Sequence, residues 1–182
     1  MAATKIMFIR HGEKPTENNP DYGIDKNGRK DDEELTVRGW QRAGALARFF
    51  LPRDGFHAGS PLETPDTLVA PAVTDDHSSK RAKHTLQPLA ALLDNLPIQQ
   101  PFARGDEDRL GDAFAAMHGV VLVAWEHEAI NDIIVRATGG VIRPPCWPAS
   151  RFDMVYVLTA EGGWRLQQWP QLLLAGDVAD SF

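Results

Sequence analysis

The sequence has little cysteine, no long apolar run and a deficit of basic residues, and each shortage removes a class of function. One cysteine, Cys146, stands among 182 residues, so no internal disulfide can form and the paired-cysteine zinc patterns are excluded. A lone thiol fits a reducing, cytoplasmic compartment. No apolar stretch approaches the roughly 18 residues that a membrane-spanning helix needs. The first ten residues carry only Ile6 to Ile9 as an apolar run before Arg10, too short for a signal peptide. Lysine and arginine number 19 against 25 aspartates and glutamates, a formal charge of −6. Nucleic acid and anionic membranes select basic faces, so neither is expected as a partner. Internal repeats and low-complexity tracts are missing too.

What remains is the make-up of a globular chain, 43% hydrophobic and 24% charged, with enough apolar material to bury a core. The length suits a single domain over residues 1–182.

Apolar runs and turn residues lay out the elements. Ile6 to Ile9 predicts a buried strand that ends at Arg10-His11-Gly12. Residues 14–34 form a polar stretch with four basic and seven acidic side chains and with Pro15, Pro20, Gly23 and Gly28, which predicts a long loop. Thr36 suits a helix N-cap, followed by Trp40, Ala43, Ala47 and Phe50 along one stripe. Thr67 to Ala70 predicts a second strand. The pair Ser78-Ser79 predicts the opening of a helix whose core face is Ala82, Leu86, Leu89, Ala90 and Leu93, kinked at Pro88. Pro97 to Phe102 is expected as a third strand, and Asp106-Glu107-Asp108 as the acidic start of a helix continuing through Leu110 to Met117.

Val120 to Trp125 is the most apolar strand and ends in Glu126-His127-Glu128, ahead of a helix over Ala129 to Thr138. Met154 to Leu158 and Trp164 to Trp169 flank a Gly162-Gly163 turn as a closing hairpin. Alternating strands and helices predict an α/β fold of three layers, α/β/α, with a mostly parallel central sheet and an antiparallel edge.

Two histidines, His11 and His127, each stand just past a buried strand, and in a parallel sheet both strand ends open onto one rim. The blocks around them are Arg10-His11-Gly12-Glu13, Leu35-Thr36-x-x-Gly39-x-x-Arg42-Ala43, Ser78-Ser79-Lys80-Arg81-Ala82-x-x-Thr85 and Ala124-Trp125-Glu126-His127-Glu128. In order and content they resemble the histidine phosphatase superfamily, the phosphoglycerate mutase-like group, along nearly the whole chain. That resemblance implies a metal-independent phosphatase, with no cofactor. In it His11 is the nucleophile that becomes phosphohistidine, and Arg10, Arg81, His127 and the backbone at Gly12 bind the phosphoryl group.

The chemistry suits those residue types, because a phosphate ester carries about two negative charges at neutral pH and guanidinium forks match its oxygens. Nearby arginines also disfavour imidazolium and keep a histidine nucleophilic. The proton donor to the leaving group stays open between Glu107 and Glu128. Glu13 is a third nearby carboxylate, expected to orient its loop. Ser60-Pro61-Leu62 imitates the family's second block but lacks its arginine, so the arginine is placed at Arg81.

His57, His77, His84 and His118 are expected as solvated surface residues, and the five tryptophans as packing residues. The expected partner is a small phosphorylated substrate or a phosphoprotein. Three other functions compete: a phosphoglycerate-type mutase, a non-catalytic phosphate- or phosphoprotein-binding module, and a metal hydrolase built on His127, Glu128 and Asp132. The last has no matching ligand spacing.

Overall fold

A computed structural model describes residues 5–16 and 21–182. The first four residues, and the part of the polar stretch that includes Pro20, lie outside the described residues.

Ten elements follow in chain order: β1 (Lys5–Arg10), α1 (Val37–Phe50), β2 (Thr67–Val69), α2 (Arg81–Leu92), β3 (Ile98–Gln99), α3 (Glu107–Ala113), β4 (Val120–Trp125), α4 (His127–Ala137), β5 (Met154–Thr159) and β6 (Arg165–Pro170). The strands form one sheet in the order β3-β2-β4-β1-β5-β6. β3, β2, β4 and β1 run parallel, whereas β5 pairs antiparallel with β1, and β6 with β5. The expected α/β architecture is present, antiparallel edge included.

The period-two alternation of a strand explains how one sheet supports two cores. Met7 and Ile9 join Leu46, Phe50, Leu86 and Leu89 on the face covered by α1 and α2. Ile6 and Phe8 join Leu110, Ile130, Ile133 and Ile134 on the face covered by α3 and α4. β1 and β4, the inner strands, are apolar on both sides for this reason.

Several expected boundaries move, each for a physical reason. β3 shrinks to two residues, because Pro97 and Pro101 flank it and proline cannot donate to a ladder. α2 opens at Arg81 with Lys80 as an N-cap that makes no side-chain bond, so Ser78 and Ser79 are not caps. Helix α2 carries Pro88 inside it. α3 stops at Ala113, and Phe114 turns inward to meet Phe8 edge-on at 5.9 Å. Thr36 caps α1 as expected, its side chain accepting from the Gly39 N–H. The α1 stripe is shifted: Trp40 lies at its margin and Arg42 is buried within it.

Arg42 is 1% exposed and is paid for by partners on three segments. Its guanidinium donates to the Glu13 carboxylate at 2.8 Å, to Gln171 Oε1 at 2.9 Å and to Asp177 Oδ1 at 2.7 Å. Burial alone would lower the Arg42 pKa, but the bonds to Asp177 and Glu13 raise it above the ordinary arginine value. Arg42 thus joins the loop after β1 to the C-terminal segment. Removing one member of a buried ion network leaves the others uncompensated, at about 3–5 kcal/mol. Arg42→Ala is therefore expected to lower the thermal midpoint by on the order of 10 °C, checked by circular dichroism. A wild-type midpoint would show that water replaces these bonds without cost.

Candidate active site

The parallel register of β1 with β4 sets Arg10 opposite Trp125, and the His11 N–H donates to the Trp125 carbonyl at 3.1 Å. His127 then opens α4. It begins the helix, rather than lying in a loop ahead of it. Both histidines line one cavity of about 330 Å³, with Lys14, Ser78, Ser79, Arg81 and Arg104. Four carboxylates, Glu33, Asp76, Glu126 and Glu128, line it as well.

His11 is held tightly. Its Nδ1 lies 2.7 Å from the Gly12 carbonyl, which can only accept, so the ring proton belongs on Nδ1 and the lone pair on Nε2. The Gly12 N–H donates to Thr85 Oγ1 at 2.8 Å, and that hydroxyl donates to the Arg81 carbonyl at 2.7 Å, so the Gly12 backbone, expected to bind the phosphoryl group, is committed to its neighbours and does not line the cavity. A Cβ on Gly12 would lie 2.8 Å from the Gly39 carbonyl oxygen, and one on Gly39 would lie 2.4 Å from the Glu13 carbonyl oxygen. Only glycine at both positions lets the first turn of α1 press against the loop after β1. The Glu13 carbonyl accepts from the N–H and the hydroxyl of Thr36. Its carboxylate, taken by Arg38 and Arg42, fixes the loop and does not line the cavity.

Electrostatics keep both histidines uncharged. Burial pushes His11 down to a pKa of about 3; the Gly12 carbonyl opposes this, and Arg10, Arg81 and Lys14 add to it. Burial and then Arg10 bring His127 to about 4, against the pull of Glu128.

Arg10 is 2% exposed, and burial lowers its pKa to about 10 despite Glu13, Glu128 and Glu126. It stacks on Phe152 at 3.7 Å and donates from Nη1 to the carbonyls of Ala149 and Arg151. Its buried Nε has no hydrogen-bond partner among the described residues. Arg81 donates from Nε to the Glu34 carbonyl at 3.3 Å and from Nη2 to the Asp32 carbonyl at 2.5 Å.

The two carboxylates considered as acids are placed differently. Glu128 lines the cavity beside His127. Glu107 lines a separate cavity with Asp108, Asp112 and Asp132, and its Oε1 accepts from the Trp125 indole at 3.0 Å. The structure does not bring Glu107 together with His11. Ser60 and Leu62 also lie elsewhere, with Phe49 and Trp169.

Three site features escaped the sequence. Arg104 joins from the segment after β3 and pairs with Glu126 at 2.9 Å. Glu33 reaches the cavity from the polar stretch. His84 is not a solvated surface residue: its Nδ1 lies 2.6 Å from Glu34 Oε2, and its ring stacks on Trp40. Among the described residues no group of three or more His, Cys, Asp or Glu side chains is arranged to hold a metal ion, and no helix is long and apolar enough to cross a membrane.

A depressed folded-state histidine pKa has a linkage consequence. Between pH 6.5 and about 3 the unfolded chain binds protons that folded His11 refuses, so its contribution to stability is complete above pH 6.5 and is lost as pH falls through that window. Urea unfolding of wild type is expected to weaken more steeply from pH 6.5 to 4 than that of His11→Asn. Nitrogen NMR should show His11 neutral at pH 6 with its proton on Nδ1. An imidazolium signal there would contradict the buried geometry.

No protein-family model matches the chain, and no curated protein does. Solved structures do. The protein histidine phosphatase SixA complexed with tungstate is 12% identical, with a TM-score of 0.54 over 92% of this chain and 97% of its own. A mycobacterial glucosyl-3-phosphoglycerate phosphatase is 16% identical, with a TM-score of 0.53 over 92% of this chain and 98% of its own. Phosphoglycerate mutase from Bacillus anthracis is 11% identical, with a TM-score of 0.50 over 90% and 91%. At such identities the likeness speaks for architecture alone, and the chain has the phosphoglycerate mutase-like fold.

Proposed function

We propose that the protein is a phosphomonoester hydrolase that works through a phosphohistidine on His11 and needs no metal. The observation that carries this is the state of His11: buried, uncharged, its Nδ1 proton committed to the Gly12 carbonyl, and lining a cavity that Arg81 and Lys14 share. Nε2 attacks phosphorus as the ester P–O bond breaks, and the leaving oxygen takes a proton from an acid. Water then attacks the phosphohistidine, gives its proton to the same group, and the P–N bond breaks to release phosphate.

Arg81 uses the guanidinium hydrogens that the loop carbonyls leave free and His127 its imidazole to hold the phosphoryl oxygens, while Arg10, buried beside His11 and outside the cavity lining, acts on them through its charge. Glu128 is the acid and base. It lines the cavity, and its 4.0 Å separation from Arg104 leaves it less committed than Glu126 at 2.9 Å.

The substrate is a small phosphorylated compound or the phosphorylated side chain of a protein; the structural likeness to a protein histidine phosphatase supports the second form. A phosphoglycerate-type mutase reaction would set a further substrate carboxylate among Glu33, Asp76, Glu126 and Glu128, where like charges oppose it. A pure binding module would have no use for a neutral, oriented nucleophile. The single exposed cysteine suits a cytoplasmic setting.

Phosphate release from an aryl phosphate in excess EDTA tests the reading. Wild-type turnover is expected to resist the chelator, and His11→Ala to lose about a thousandfold or more. Turnover abolished by EDTA, or retained in His11→Ala, would refute it. Glu128→Gln should slow alcohol release from alkyl phosphates by about 100-fold and spare the first burst of phenolate from aryl phosphates, which leaves without a proton, while hydrolysis of the phosphohistidine slows with either substrate.

A further inference from the structure

The polar stretch before α1 is docked against α2 by a buried pair that the proposed chemistry does not use. Residues 31–34 are four consecutive acids, yet Glu34 is 3% exposed. A carboxylate is buried only with a partner, and here the partner is His84 Nδ1 at 2.6 Å. His84 stands three residues after Arg81 on α2, so the two share a helix face.

The same loop residue grips both. The Glu34 side chain binds His84, and the Glu34 carbonyl accepts from Arg81 Nε at 3.3 Å while the Asp32 carbonyl accepts from Nη2 at 2.5 Å. Behind them His84 stacks on Trp40, with ring centroids 5.4 Å apart. The Trp40 indole donates to the Ile24 carbonyl at 2.8 Å, and the Ile24 N–H donates to the Leu35 carbonyl at 2.8 Å. The ring of contacts closes from α1 through the loop to α2.

We infer that Glu34 and His84 are positioning residues that lock the loop carbonyls onto one edge of the Arg81 guanidinium, fixing the other edge toward the phosphoryl group. The inference rests on Arg81 being a phosphate ligand. An arginine side chain has several rotatable bonds, and holding it beforehand spares the ordering cost at binding. The pair acts through Arg81 and touches no substrate.

A double-mutant cycle separates this role from a merely structural one. Orthovanadate affinity is measured by calorimetry, and kcat and KM with an aryl phosphate, for wild type, His84→Ala, Arg81→Ala and the double variant, each checked for folding by circular dichroism. His84→Ala should weaken vanadate binding and raise KM by about 3- to 30-fold, with a smaller change in kcat. His84→Asn, whose amide N–H replaces the Nδ1 donor, should restore most of the loss. In the Arg81→Ala background His84→Ala should cost nothing more.

Equal losses in both backgrounds, or wild-type affinity in folded His84→Ala, would overturn the positioning role while leaving Arg81 as a ligand. Wild-type affinity in Arg81→Ala would overturn the ligand assignment itself, and this inference with it. If His84→Ala does not fold, Glu34→Ala enters the same cycle with the same expectations, since it leaves only a partly exposed imidazole unpaired.

Discussion

The hydrogen bond from His11 Nδ1 to the Gly12 carbonyl is the contact on which the site depends. The bond fixes the tautomer, and burial, working against this same bond, keeps a second proton off Nε2. The bond exists because the Gly12 backbone has nowhere else to go. Its N–H is held by Thr85, its Cα presses on the Gly39 backbone, and the next carbonyl, that of Glu13, is taken by Thr36. A side chain on either glycine would need backbone to move, because the atoms in the way are carbonyl oxygens. Sheet register supplies the remaining constraint, since the His11 N–H on Trp125 ties the proposed nucleophile to the strand that delivers His127.

Around this contact the charges are sorted by depth. Arg42, Glu13 and Asp177 form a buried network, joined by Arg38 and Gln171, that stiffens the loop after β1 from outside the cavity. The charges that face the cavity are of both signs. Arg81 and Arg104 each have a carboxylate nearby, Glu33 at 3.6 Å and Glu126 at 2.9 Å. A cavity balanced in this way is suited to a single phosphoryl group and is unfavourable to a ligand carrying several separated negative charges. The neutral histidines follow from the same arrangement. Burial removes the water that would stabilise an imidazolium, and the neighbouring cations remove any gain from forming one.

What could be read from the sequence was whatever depends on short spacing. The strand ends at Arg10 and Trp125, the Thr36 cap and the hairpin at Gly162-Gly163 each rest on local patterns, and each is present. The pair His11 and His127 was legible because two apolar runs ending in polar residues must open onto the same rim of a parallel sheet. The misses are long-range. His84 lies on α2 in a run of polar and charged residues, and nothing local shows that a glutamate fifty positions earlier is buried against it. Arg42 interrupts an apolar stripe, and its partners at Gln171 and Asp177 belong to the far end of the chain. Glu107 was a reasonable candidate from its place in the order of elements, but its direction was decided by the Trp125 indole, which a spacing argument cannot see. The serine pair before α2 marks a helix opening at the site from composition alone; Ser78 and Ser79 line the cavity, and Lys80, not a serine, takes the N-cap position.

The polar stretch is where composition misleads most. A run of acids next to Arg81, the proposed phosphate ligand, suggests, by charge counting, a solvated loop that competes with the substrate. The geometry separates the two functions that counting merges. The loop meets Arg81 mainly through carbonyl oxygens, which accept hydrogen bonds and carry no net charge, so the guanidinium keeps its full charge for an anion. Glu33 lies 3.6 Å away, with its side chain 54% exposed, where water screens it and the pairing is weak. The one acid in the run that is fully buried, Glu34, spends its charge on His84. Neutral acceptors hold the arginine and a buried acid anchors the segment that carries them, so in the proposed reading an acidic segment builds part of an anion site without cancelling it.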